Sequence, residues 1–275
     1  MADVRVSDTP GFSFENTIRN AHLASAGFPL PNLRKTGTTI CGVVFNGGVV
    51  LGADTRATEG SVVADKNCEK IHYLAENMRC CGAGTSADCD SMTSLMSSQL
   101  KLHSYANNGA KPRVSTAVTM FKRRLFQYQG HIGCALVIGG CDVEGAHLYS
   151  VHPHGSVDKL PFVSMGSGSL AAMAVLESGY KDNLTREEAM AIVHRAISAG
   201  IFNDLGSGSN VDLCIITLDG KAEYLRNYDR PNERIYRSQR GYDYPRGTTK
   251  ILSESTKTIV YVADETVEVV PMETS

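Results

Sequence analysis

The sequence predicts an α+β layered domain. Strand-like and helix-like stretches come in runs, in the order strands, helix pair, strands, helix pair, strands, rather than alternating one for one. The strand stretches are apolar and joined by tight glycine turns. The helical stretches carry apolar residues at steps of three and four. Two antiparallel sheets, each covered by a helix pair, satisfy this order.

The elements follow from the chain. Residues 1 to about 36 hold Pro10, Pro29 and Pro31 without clear periodicity, and read as a leader or arm. From Thr39 to Phe45 and from Val49 to Thr55, two apolar strands flank the Gly47-Gly48 turn. A strand around Lys70 to Tyr73 leads to another over Arg79 to Ala83. The stretch from Ser86 to Tyr105 places Met92, Leu95, Met96 and Leu100 on one helix side, and Val114, Ala117, Val118, Phe121, Leu125 and Tyr128 make a second amphipathic stripe. Strands return at Cys134–Ile138, His147–His152 and Phe162–Met165. A third helix starts after Gly168. A fourth starts at Thr185, where Thr185-Arg-Glu-Glu188 spells a capping box. A strand pair, Val211–Thr217 and Ala222–Arg226, turns at Asp219-Gly220 and closes the domain.

Composition bounds the function. The chain has 275 residues, 42% of them hydrophobic, enough for a large core without disulfide or metal staples. That fraction excludes a disordered chain. A net charge of −2 argues against a dedicated nucleic-acid binder. No apolar run reaches the roughly 18 residues that span a bilayer, and Asp3, Asp8 and Glu15 interrupt any secretory signal. The eight cysteines sit mostly inside apolar runs and read as buried free thiols of a reducing compartment. No paired CxxC supports zinc, and His152-Pro-His154 lacks a carboxylate partner and reads as a loop. After Tyr228 comes an arginine-rich stretch, then an acidic tail with strand-like pieces such as Thr258–Val262. That tail is too poor in apolar residues to fold alone. It either docks on a neighbouring subunit or is a flexible terminus.

The most specific motifs are Gly37-Thr-Thr-Ile40, Gly52-Ala-Asp-Thr-Arg-Ala-Thr-Glu-Gly60, Cys81-Gly-Ala-Gly-Thr85, Gly166-Ser-Gly-Ser169 and Asn203-Asp-Leu-Gly-Ser-Gly208. In this order they resemble the proteasome β subunits, most closely the β2, trypsin-like type, from about Thr36 to Tyr228. The resemblance implies a four-layer αββα sandwich, the N-terminal nucleophile hydrolase fold. It also implies a 37-residue propeptide, a catalytic domain over 38–228 and a docking extension over 229–275.

The chemistry can be argued from the residues as well. A threonine hydroxyl needs a base to become a nucleophile. Cleavage between Gly37 and Thr38 would make Thr38 N-terminal, and its free α-amine, with a typical pKa of about 7.7–8.0, is a suitable base. The leader then keeps the enzyme inactive until it is removed. Gly37 has no side chain to obstruct attack on its carbonyl. Lys70 near the hydroxyl would lower its pKa and stabilise the alkoxide, with Asp54 keeping the lysine charged and oriented. Ser167, Asp204 and Ser207 are, by the resemblance, the outer members of the constellation. Gly84 is the candidate oxyanion donor through its backbone N–H. Taken singly, these residues also fit an ordinary strand entry, a surface ion pair and plain turns.

By the resemblance, the specificity pocket is lined by Ala57, Cys68, His72, Gly82, Ser86 and Asp90. Gly82 leaves its floor open. Asp90 offers a carboxylate, at depth in the pocket, to a Lys or Arg side chain; alone, it also fits a solvated first-turn helix residue. Cys41 and Ser86 depart from the family by replacing small alanines. The implied activity is a threonine endopeptidase cutting after basic residues of unfolded polypeptides, in ubiquitin-dependent and other protein degradation in cytoplasm and nucleus. No cofactor or metal is expected, and no nucleic-acid or membrane partner. The expected partners are other α and β subunits in stacked heptameric rings, with the regulatory particle acting indirectly. A non-catalytic family member would lack Thr38, Asp54 or Lys70, and all three are present. A different self-processing amidohydrolase would have a small closed pocket, which fits Gly82 and the tail poorly.

Overall fold

A computed structural model describes residues 15–28, 36–239, 241–243, 245, 247 and 250–259. Two compact units divide the chain, Met1–Glu233 and Arg234–Ser275. In the first, a short helix α1 (Glu15–Ser25) precedes β1 (Thr39–Phe45), β2 (Gly48–Asp54), β3 (Ala57–Glu59), β4 (Val62–Asp65), β5 (Ile71–Ala75) and β6 (Met78–Gly84). Then come α2 (Ser86–Ala106), α3 (Val114–Gln127), β7 (Cys134–Asp142), β8 (Gly145–Val151), β9 (Val157–Lys159) and β10 (Phe162–Gly166). The unit closes with α4 (Ser169–Gly179), α5 (Arg186–Asn203), β11 (Val211–Thr217) and β12 (Ala222–Asp229).

Two five-stranded antiparallel sheets form the centre, ordered β10-β1-β2-β11-β12 and β5-β6-β7-β8-β9. Helices α2 and α3 cover the second sheet through Met92, Leu100, Phe121 and Leu125, packed with Met78, Leu136 and Ile138. Helices α4 and α5 cover the first through Leu176, Val193 and Ile197, packed with Val43, Val50 and Leu213. Between the sheets lie Ile40, Leu51, Cys81, Val137, Leu148 and Ile216. The four layers are therefore α, β, β, α. Alternate residues of one strand serve different layers: Val211, Leu213 and Ile215 face the helices, and Cys214 and Ile216 face the other sheet. Both faces are covered, so the central strands read as continuous apolar runs.

The capping box forms as expected. Thr185 Oγ1 accepts from Glu188 N at 3.3 Å, and Glu188 Oε2 accepts from Thr185 N at 2.9 Å. All eight cysteines are free, seven of them buried and Cys68 half-buried.

Three elements differ from the sequence reading. The β3–β4 hairpin and β9 are short and largely exposed, so they lack an apolar pattern. Before the first strand lies α1, which is exposed from Ile18 to Ser25, so no buried stripe among those residues marks it. Leader residues 1–14 and 29–35 lie outside the described residues, as do 260–275 of the expected docking extension. Among the described residues of the second unit there is no helix or strand.

Phe121 is fully buried at the centre of the helix-covered face of the second sheet. Phe121→Ala is expected to destabilise the protein by about 3–5 kcal/mol in denaturant unfolding.

Candidate active site

Sheet register brings the predicted residues to one edge of the sandwich. Thr38 immediately precedes β1, Asp54 ends β2, and Ser167 follows the end of β10. Antiparallel pairing places Thr39 opposite Gly166, Ile40 opposite Ala53, and Asp54 opposite Val211. Asp204 is the C-cap of α5, and Ser207 lies in the loop to β11. The second sheet contributes Lys70, just before β5, and Gly84, the last residue of β6.

Asp54 is fully buried, and its four hydrogen bonds account for that. Oδ1 accepts from Thr39 N at 2.9 Å and from Lys70 Nζ at 2.8 Å. Oδ2 accepts from Arg56 N at 3.3 Å and Gly208 N at 3.1 Å. Lys70 spends its two other protons on Gly37 O and Thr38 Oγ1, each at 3.1 Å. The Thr38 hydroxyl in turn donates to Gly37 O at 2.7 Å. The hydroxyl, the preceding carbonyl and the ammonium thus form a closed triangle, in which Thr38 and Lys70 are buried in this chain. A buried pair like Asp54–Lys70 is costly to break, because either partner left alone is an uncompensated charge.

A second network flanks the first. Thr38 N donates to Ser167 Oγ at 3.0 Å, and Ser167 Oγ donates to Asp204 Oδ2 at 2.6 Å. Ser207 Oγ lies 2.6 Å from Asp204 Oδ2 and 2.6 Å from Thr39 Oγ1. Partial burial works to raise the Asp204 carboxyl. Hydrogen bonds from Ser167, Ser207 and Gly206 N, with the Lys70 charge, outweigh it and hold the group below its ordinary value.

Gly37 is held by more than its two neighbours. Its N–H donates to Thr58 Oγ1 at 3.0 Å, and its Cα faces the backbone of Gly206. A Cβ on Gly37 would overlap the Gly206 backbone, and one on Gly206 would sit 2.8 Å from Gly37 Cα. Glycine is needed at both positions for this close approach. Thr36 donates to Gly84 O twice, from its N at 3.1 Å and its Oγ1 at 3.2 Å. Gly84 therefore presents its carbonyl to the leader, while Gly37 O takes its hydrogen bonds from Lys70 and Thr38.

All six residues predicted for the pocket line one cavity beside Thr38, together with Thr36, Glu69 and Cys89. Its volume is about 30 Å³ with the leader in place, which is room for about one water. Gly82 opens the space between Cys89 and His72: a Cβ there would lie 3.1 Å from Cys89 Cβ and 3.3 Å from His72 Nε2. Burial pushes the His72 ring below its ordinary value, against the opposing pull of Asp90 and Glu69. Burial raises the Cys68 thiol, with Lys70 opposing. Asp90 differs from the expectation of a carboxylate at depth. Its side chain is 64% exposed on the first turns of α2, with Oδ1 3.7 Å from His72 Nδ1. A larger cavity of about 430 Å³, bordered by Tyr73, Leu100, Lys101 and Tyr105, contains none of the predicted site residues.

Several participants escaped the sequence reading: Thr39 as partner of Ser207, Thr58 as acceptor for Gly37, and Gly206 as the surface against Gly37. Thr39 and Thr58 stand in the quoted motifs, but nothing in their spacing reveals contacts across 168 and 21 residues.

Gly84 has φ +120°, and a Cβ there would overlap Gly133 O. Gly84→Ala is expected to cost at least about 1–3 kcal/mol, read as a lowered denaturation midpoint.

A family profile described as proteasome subunit matches residues 34–216. The chain is 54% identical to proteasome subunit beta type-7-B of Arabidopsis thaliana, over 97% of this chain and 98% of that one. It is 51% identical to proteasome subunit beta type-2 of Saccharomyces cerevisiae, over 94% and 98%. To proteasome subunit beta type-10 of Mus musculus it is 48% identical, over 98% of each chain.

Proposed function

The chain belongs to the proteasome subunit family, in its β2 type, and from that premise we propose that it is a threonine-type endopeptidase made active by cleavage between Gly37 and Thr38. The observation that carries this reading is the triangle of Thr38 Oγ1, Gly37 O and Lys70 Nζ, with sides of 2.7, 3.1 and 3.1 Å. A hydroxyl against the carbonyl of its own preceding residue is positioned for attack on that carbonyl. The ammonium beside the oxygen would stabilise the negative charge that develops there. Attack forms an ester between Thr38 Oγ1 and Gly37, the peptide nitrogen leaves as the Thr38 amine, and water then hydrolyses the ester.

The mature site would reuse the same groups. The Thr38 amine takes the hydroxyl proton, Oγ1 attacks a peptide carbonyl, and the proton passes to the leaving amine. Water, deprotonated by the same amine, releases the acyl group. Lys70, kept charged and oriented by Asp54, stabilises the alkoxide, Ser167 and Asp204 orient the amine, Ser207 supports Asp204, and the Gly84 N–H is the substrate's oxyanion donor. Leader removal frees Gly84 O and the cavity beside it from Thr36, so a substrate strand can take that place. The domains on this reading are a propeptide over 1–37, a catalytic domain over 38–228 and a docking extension over 229–275. The chain works with other α and β subunits of the 20S core, in cytoplasm and nucleus.

Cleavage after basic residues is the specificity this reading assigns, with Gly82 leaving space and Asp90 supplying the charge. The exposed Asp90 makes that charge a rim feature, met by the end of a long side chain.

The mature chain is expected to begin at Thr38 when the assembled particle is subjected to N-terminal sequencing, and any other start overturns the mechanism. Thr38→Ala is expected to lower Arg-directed peptide cleavage by more than about a thousandfold. The half-buried His72 is neutral at pH 7 and takes up a proton only below its ordinary value of 6.5. As pH falls below 6.5 and the ring gains its proton, KM is therefore expected to rise severalfold for peptides with Arg at the cut, relative to those with Leu.

A further inference from the structure

The segment that delivers Lys70 has no sheet ladder of its own. Residues 66–70 are irregular, and strand pairing resumes only at Ile71. Their carbonyls need other donors. Lys66 O accepts from Thr55 Oγ1 at 3.0 Å, and Lys70 O accepts from Gly82 N at 3.0 Å. Of the three carbonyls between, Asn67 O and Cys68 O are both held by the guanidinium of Arg226, from Nη2 and from Nη1, the latter at 3.2 Å. Arg226 Nε also faces Glu69 Oε1 at 3.6 Å.

Arg226 is itself braced. It pairs with Asp212, a fully buried carboxylate of β11. Asp212 also accepts from Tyr224 OH at 3.0 Å and from Asn227 N at 2.8 Å. A bulge makes this possible. Val211 pairs with Asp229 but Leu213 with Leu225, so residues 226–228 of β12 face Asp212 alone, and Asn227 takes φ +52°. Asp212 stands beside Ala53 of β2, one residue from Asp54. The brace is thus rooted in β11, the strand paired with the one that carries the Lys70 counter-ion.

We propose that Arg226 is a positioning residue of the Thr38 site: its fork on the Asn67 and Cys68 carbonyls, anchored by buried Asp212, sets where Lys70 and the Cys68 wall of the pocket stand. This rests on the reading that Lys70 activates Thr38. Arg226 reaches the site through the backbone of 67–70, with Asp54 and Gly82 restraining Lys70 from its other sides. A lysine at 226 keeps the charge opposite Asp212 but lacks the planar fork that holds two successive carbonyls.

The test uses assembled core particles carrying Arg226→Lys, with mature sites counted by an irreversible threonine-directed electrophile. Per titrated site, kcat for an Arg-directed peptide is expected to fall about tenfold, as for a displaced catalytic group, with KM changing by a smaller factor through the Cys68 wall. A purely structural role would lower particle yield or heat stability and leave kcat per site unchanged, and that result overturns the proposal. If Arg226→Lys yields no particles, Tyr224→Phe, which removes one hydroxyl from Asp212, carries the test. Its kcat per site is expected to fall about two- to fourfold, and an unchanged kcat overturns the proposal. A Lys70→Ala control separates the two levels. Activity retained there overturns the reading of Lys70 and the inference with it. Activity lost there, beside an unaffected Arg226→Lys, overturns the inference alone.

Discussion

The site depends on one buried carboxylate. Asp54 has no contact with water, and a lone carboxylate so placed would be prohibitively costly. Its burial is tolerable because donors converge on it from three backbone segments and from Lys70. Those donors belong to the start of β1, the end of β2 and the loop before β11. Satisfying Asp54 therefore fixes three chain segments at the same edge and leaves the lysine ammonium facing Thr38. The pair is a constraint as well as an interaction, since neither charge can be moved without exposing the other to an apolar interior.

Residues 36–38 are woven into that edge. Thr36, Gly37 and Thr38 each bond to a different part of the fold: the end of β6, Thr58 of the hairpin, and Ser167 at the entrance to α4. The small hairpin β3–β4, which has little core of its own, thereby holds one side of the Gly37 peptide. Tertiary structure brings the elements together, and residues 36–38 lie across their junction. On the reading proposed above, the uncut chain occupies its own cleft in the manner of a substrate.

Much of this was legible in the chain. The central strands announced themselves because both of their faces are covered, which leaves unbroken apolar runs such as Val49–Ala53. Thr185 and Glu188 announced the start of α5 because a capping box is local chemistry. The short, exposed β3, β4 and β9 carry no apolar pattern, and α1 is exposed from Ile18 to Ser25. At the site, Thr38, Asp54 and Lys70 were legible through motifs, and the resemblance located the pocket lining. Asp90 was placed too deep, because the motif gives a position on α2 but not the angle at which its side chain leaves the cavity. Arg226 and Gly206 were missed for a related reason. Their roles lie in contacts with backbone far away in sequence, and an arginine in a strand or a glycine in a loop has an ordinary explanation.

The bridging hydroxyl of Ser167 has a further consequence. It accepts from Thr38 N and donates to Asp204. A hydroxyl can accept and donate at once, and its hydrogen turns about the C–O bond with no displacement of heavy atoms. Before cleavage the nitrogen it faces is an amide, able only to donate. Afterwards that nitrogen would be an amine, alternating between acceptor and donor as protons come and go. A carboxylate in direct contact would suit the protonated form alone, and an ammonium the neutral form alone. On the proposed mechanism the serine would be a reversible coupling that accommodates both chemical lives of one atom, so the scaffold built around the precursor would need no rebuilding to serve the product.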